Sequence, residues 1–193
     1  MGKQIHLEKI MALFKKSPVV NFKSIERIVG KSKKSNYAKL IIFNLLKKDK
    51  IKKIGKGFYT INDELSLAVF VFSPSYLGLQ TALSHYGLWE QETIPVIITT
   101  KKIRRGIRNL MGGNVLLRNI DKEHFFGIEY IKEGDFYLPY SDLEKTFIDL
   151  VVFNQKINEE TLKIIKSKIN KKKLQDYLKR YSSRIRDRVM KLI

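Results

Sequence analysis

Cysteine is absent from this chain of 193 residues, which excludes disulfides and any cysteine-ligated metal centre. Histidine is scarce, with only His6, His85 and His124. No apolar run approaches the roughly 20 residues that a membrane span needs. The first residues, MGKQIHLEK, lack the apolar centre of a signal peptide, so the expected location is cytoplasmic. Neither G-x-x-x-x-G-K-[ST] nor G-x-G-x-x-G occurs, so no phosphate-cradling loop of either kind is expected. Acidic residues are few, 19 against 38 lysines and arginines.

What is there is positive charge, unevenly placed. Residues 1–61 carry 16 Lys/Arg against 3 Asp/Glu, a net +13. Residues 62–154 carry 9 against 12, a net −3, and residues 155–193 carry 13 against 4, a net +9. General lysine enrichment does not produce an acidic middle. A basic head and a basic tail around it point to a polyanionic partner, with nucleic acid first.

The stretch Lys31–Ile61 organises the head. Ser32 or Ser35 can cap a helix in which Ala38, Ile41, Ile42 and Leu45 form one apolar face. Lys47, Lys48 and Lys50 gather at its end, where the helix dipole favours cations. Ile51–Ile54 and Phe58–Ile61 read as short strands joined by Gly55-Lys56-Gly57. Two earlier helices are expected, at Ile5–Lys16 and at Ser24–Val29 with Ser24 as cap, and a short extended piece at Val19–Phe22. This is the sequence form of a winged helix-turn-helix, in which a helix enters the major groove and the wing touches backbone. Asn36 suits an adenine edge, and Ser35 lies beside it in the polar first turn. Lys33, Lys34, Lys39, Lys52, Lys53 and Lys56 suit phosphates.

Beyond Asn62-Asp63 an α+β domain is expected over 63–154, followed by a basic helical tail over 155–193. Leu65–Phe72 fits either a strand or a short helix. Tyr76–Tyr86 reads as a helix closed by Gly87. Strands follow at Val96–Thr100, Val115–Arg118, Ile128–Lys132 and Phe136–Tyr140, the last two as a hairpin. Between the first two lies a basic loop, Lys101–Arg108. Its Lys101, Lys102, Arg104, Arg105 and Arg108 form a possible second contact with nucleic acid or an acidic partner. Ser141 is the expected cap of a helix to Phe153, and three further helices are expected at Glu159–Ile169, Lys171–Tyr181 and Ser183–Leu192.

Three segments of the middle carry a family resemblance. They are Tyr76-Leu77-Gly78-Leu79-Gln80-Thr81-Ala82-Leu83-Ser84-His85-Tyr86-Gly87-Leu88, then Ile98-Thr99-Thr100-Lys101-Lys102 with Arg104-Arg105. The third is Phe125-Phe126-Gly127 followed by Leu143-Glu144-Lys145-Thr146-Phe147-Ile148-Asp149-Leu150. Their order and spacing resemble the abortive-infection E antitoxin family, the transcriptional regulators of type IV toxin–antitoxin systems. Gly78 stands where that family usually has serine, and Asp142-Leu143 where it has a small residue and proline. The resemblance implies repression of the chain's own operon through double-stranded operator DNA. It also implies neutralisation of a nucleotidyltransferase toxin that the antitoxin need not bind directly.

No catalytic set, metal or cofactor is expected. Asp142, Glu144 and Lys145 mimic a D-x-E-K nuclease core. On a helix, however, Glu144 and Lys145 point apart, so capping and surface pairing are the expected roles. The reading is therefore a winged-helix repressor and antitoxin with an α+β middle. A plain transcription factor with an oligomerisation domain and a DNA-targeted nuclease stand as alternatives.

Overall fold

Side-chain periodicity sets the first unit. In α1 (Gly2–Lys16), Ile10 and Phe14 lie four apart and are both buried. The computed structural model describes residues 2–30, 35–91 and 93–193. After α1 come β1 (Val20–Asn21), α2 (Phe22–Val29), α3 (Ser35–Lys47), β2 (Lys52–Gly55) and β3 (Phe58–Thr60). Ile25 and Val29 of α2 meet Ala38, Ile41, Ile42 and Leu45 of α3 in one core with Ile51 and Tyr59. The cap of α2 is Asn21, not Ser24: its Oδ1 accepts from the Ser24 N–H at 2.9 Å. A strand residue with a short acceptor thus begins the helix two residues earlier than the sequence reading placed it.

The three strands form an antiparallel sheet in the order β1-β3-β2. Gly57 turns the β2–β3 hairpin at φ 75, and its carbonyl accepts from the Phe22 N–H at 2.8 Å. Thr60 Oγ1 donates to the Pro18 carbonyl at 2.7 Å. The hairpin is therefore fastened at its tip to the start of α2 and at its base to Pro18, ahead of β1. Leu65–Phe72 is a 3-10 helix, which resolves the strand-or-helix ambiguity. The described chain up to Val71, with Asn109–Gly113, forms one compact unit, so it runs on past Asn62-Asp63.

The second unit, Phe72–Arg108 with Asn114–Ile193, is mixed α+β. Its strands are β4 (Ser75–Leu77), β5 (Val96–Thr99), most of β6 (Gly106–Leu110) and of β7 (Gly113–Asn119), β8 (Ile128–Glu133) and β9 (Phe136–Ser141). They run in the order β6-β7-β5-β4-β9-β8. Here two sequence expectations fail. Tyr76 and Leu77 are strand residues, paired antiparallel with Ile98 and Ile97. The helix α4 spans only Gln80–His85, because Leu79 at φ 54 breaks the chain before it. Gly106–Leu110, half of which was expected as basic loop, is strand β6.

Four helices complete the unit: α5 (Leu143–Val152), α6 (Glu159–Lys168), α7 (Lys171–Leu178) and α8 (Ser183–Met190). Ile165, Leu174, Leu178, Tyr181 and Val189 join Tyr76, Leu83, Ile98, Phe147 and Leu150 in one core. The basic tail thus supplies part of a hydrophobic core, with most of its lysines turned outward. No helix among the described residues is long and apolar enough to cross a membrane.

Candidate nucleic-acid interface

In the first unit, α3 presents two faces. Ala38, Ile42 and Leu45 are buried, while Asn36, Lys39, Leu40, Phe43, Asn44, Lys47 and Lys48 are exposed. The exposed set follows spacings of three and four, so it makes one stripe along the helix. On the hairpin, Lys53 is exposed in β2 and Lys56 is exposed at the turn. Lys52 is instead half-buried and ion-paired with Asp63. Of the residues the sequence singled out, Asn36, Lys39, Lys53 and Lys56 therefore offer solvent-facing groups in one unit. Lys33 and Lys34 lie outside the described residues, and so does the side chain of Ser35.

In the second unit, Lys101 and Lys102 line an open cleft of about 740 Å³ with Asn119, Lys122, His124 and Arg180. Arg104 and Arg105 are exposed beside it in sequence but do not line it. Arg108 turns back on its own loop, donating to the Arg104 carbonyl at 2.6 Å and the Ile107 carbonyl at 3.0 Å. At the cleft rim, Asp121, Glu123 and His124 hold ligand-type atoms within 4.8 Å of one another. The two carboxylates are exposed, and His124 Nε2 lies 3.1 Å from the Arg180 carbonyl oxygen.

The nuclease-like residues take a role that sequence reasoning missed. Glu144 is buried, and Lys145 and Asp149 are each at 0% exposure, so surface pairing is corrected to interior pairing. Lys145 Nζ is ion-paired with Asp149 Oδ1 and lies 3.1 Å from Tyr181 Oη. Three rings surround the ammonium, with centroids at 5.6 Å (Tyr76), 5.4 Å (Phe126) and 5.9 Å (Tyr181). The other carboxylate oxygen of Asp149 accepts from Tyr76 Oη at 2.7 Å. Burial lowers the Lys145 pKa against the pull of Asp149, and burial raises that of Asp149 against the pull of Lys145.

Asp142, rather than Ser141, caps α5, its Oδ1 accepting from the Lys145 N–H at 2.7 Å. Its Oδ2 accepts from Tyr177 Oη at 2.7 Å and pairs with Lys173 Nζ at 3.1 Å. Glu144 pairs with the same ammonium at 3.2 Å and accepts from the Asn170 N–H at 2.8 Å. Burial works against the Lys173 charge, but Asp142 and Glu144 outweigh it and raise the pKa. Burial and Asp142 together push Tyr177 up to about 12. These carboxylates fasten α5 to α7.

Gly127, which ends the Phe125-Phe126-Gly127 segment, sits at φ +65 against this cluster. A Cβ there would meet Lys145 Cβ at 2.9 Å and Tyr177 Cε2 at 3.0 Å. Gly78 is bound by space instead: a Cβ would meet Ile98 Cδ1 at 2.6 Å. The sequence did hold a signal for the buried pair. Lys145 and Asp149 are four apart, the spacing at which two side chains meet on one helix face.

No family model matches the chain, and no curated protein matches it. Among solved structures it is similar to the crystal structure of the Rv2827c protein from Mycobacterium tuberculosis. The TM-score is 0.62 at 10% identity, covering 97% of this chain and 76% of that one. At that identity the likeness concerns fold alone.

Proposed function

We propose that this protein is a winged-helix DNA-binding regulator that represses its own operon. We propose that it also serves as the antitoxin to a nucleotidyltransferase toxin. The observation that carries the DNA-binding half is the exposed stripe of α3 beside an exposed lysine hairpin, in a head of net +13. In this reading α3 enters the major groove, and Lys53 and Lys56 on the β2–β3 wing touch phosphates. The antitoxin half rests on the sequence resemblance of residues 76–153 to the abortive-infection E family. The D-x-E-K-like set does not favour a nuclease, since Lys145 and Asp149 are sealed from solvent and Asp142 and Glu144 are committed to Lys173.

The test is binding of the full-length protein to its own promoter across a salt series. Lys39, Lys47, Lys48, Lys53 and Lys56 are exposed. Five phosphate contacts give a slope of log K against log salt of about −4.5. A salt-independent affinity, or none, rejects the assignment. The antitoxin half is tested separately, by growth under induced expression of the neighbouring nucleotidyltransferase.

A further inference from the structure

A helix that only neutralised phosphates would expose lysines and little else. The exposed stripe of α3 differs: between Lys39 and Lys47 it carries Phe43 at 60% and Leu40 at 53% exposure. Asn36 and Asn44 flank these apolar groups and are exposed too. Leu40 and Asn44 also rim a shallow groove of about 250 Å³ with Leu7 of α1. Large apolar side chains left in water at mid-helix call for an occupant.

Charge selects among the occupants. The apolar pair is ringed by Lys39, Lys47 and Lys48, all exposed, in a head of net +13. A second copy seated symmetrically on this face would bring the same lysines against themselves. A polyanion that also offers apolar groups fits, and the major groove of A·T-rich duplex DNA is such a surface. Thymine presents a C5-methyl group there, and adenine presents the acceptor–donor pair that an asparagine amide matches. The arginine fork that commonly reads guanine is missing, since α3 contains no arginine.

We infer that α3 reads A·T base pairs directly, Leu40 and Phe43 packing on thymine methyls and Asn36 and Asn44 pairing with adenine edges. This deepens the DNA-binding reading and rests on it.

The experiment compares full-length protein on alternating poly(dA-dT), poly(dA-dU) and poly(dG-dC) duplexes at one salt concentration. Uracil removes only the methyl group. Burial of one methyl-sized group is worth a factor of about four in affinity. Expected is poly(dA-dT) tighter than poly(dA-dU) by about fourfold to fifteenfold, with poly(dG-dC) weakest. Phe43→Ala and Leu40→Ala are expected to lower affinity for poly(dA-dT) towards that for poly(dA-dU), and to leave poly(dA-dU) nearly unchanged. Both side chains are mostly exposed, so an unchanged melting temperature verifies the fold of each variant. Firm binding that ignores the methyl group overturns the inference and leaves DNA binding standing. So does discrimination that survives both variants. A wild-type dimer that Phe43→Ala dissociates, with DNA affinity unmoved, assigns the face to a second copy and also overturns it. No binding to any duplex rejects the DNA-binding reading itself.

Discussion

At the scale of single residues, Lys145 and Asp149 matter most to the second unit. Removing one partner of a buried pair strands the other charge, so Lys145→Met is expected to lose about 3–5 kcal/mol. Lys145→Met with Asp149→Leu and Tyr76→Phe removes both charges and the hydroxyl bound to Asp149, leaving only the Tyr181 hydroxyl of the cluster, and is expected to recover most of that loss in urea melts. A triple variant as unstable as the single one would show that shape, not charge, governs the site.

The pH dependence of the single variants has a definite sign. Burial raises Asp149 above its ordinary 3.8, so the folded state binds that proton more tightly. Its stability contribution is present below 3.8 and lost as pH rises through the folded pKa. Lys145 is lowered from 10.5, so its contribution is present above 10.5 and lost as pH falls through the folded pKa. The deficit of Lys145→Met should therefore shrink towards acid, and that of Asp149→Asn towards alkali. Parallel melts across pH that show no such divergence reject buried titration. On the DNA side, Asn36→Ala should weaken operator binding more than random-DNA binding. Lys53→Ala and Lys56→Ala should weaken both equally, because phosphates carry no sequence information. Equal losses for all three variants remove Asn36 from base reading.

At the scale of elements, the C-terminal helices show where periodicity stops being informative. Their presence and approximate ends were legible. What they pack on was not, since a helix face carries no address. Tertiary contact with α5 supplies it, through Asp142, Glu144, Lys173 and Tyr177. Deleting 155–193 removes Ile165, Ile169, Leu174, Leu178, Tyr181 and Val189 from the core. At about 1.5 kcal/mol or more each, that loss is on the order of the whole stability of a domain. Hydrogen exchange on the truncated chain should show protection lost over what remains of the second unit and kept over the described residues of the first. Protected amides in β5 would show that the tail is dispensable. Tyr76 and Leu77 teach a related lesson. Their neighbours look helical, but pairing with Ile98 and Ile97 in the sheet interior overrides local propensity.

At the scale of the whole molecule, the chain forms two compact units, and the proposed functions divide between them. The full-length triple variant Lys39→Ala, Lys53→Ala, Lys56→Ala should lose operator binding. It should still protect cells from the toxin if the second unit is an antitoxin in its own right. Protection lost together with binding would reduce the antitoxin role to repression. The sequence by itself determined the helices and hairpin of the head, the buried face of α3 at Ala38, Ile41, Ile42 and Leu45, and the charge of each region. These follow from spacing, glycine placement and composition, which are local properties. Only the tertiary structure decided that Glu144, Lys145 and Asp149 face inward, that Lys52 is spent on Asp63 and that the basic tail completes a core. A charged side chain is buried only where its partners are supplied: Asp149 meets Lys145 from one turn along α5, and tertiary contact brings the other partners of the α5 cluster, Tyr76, Asn170, Lys173 and Tyr181, from residues distant in the chain.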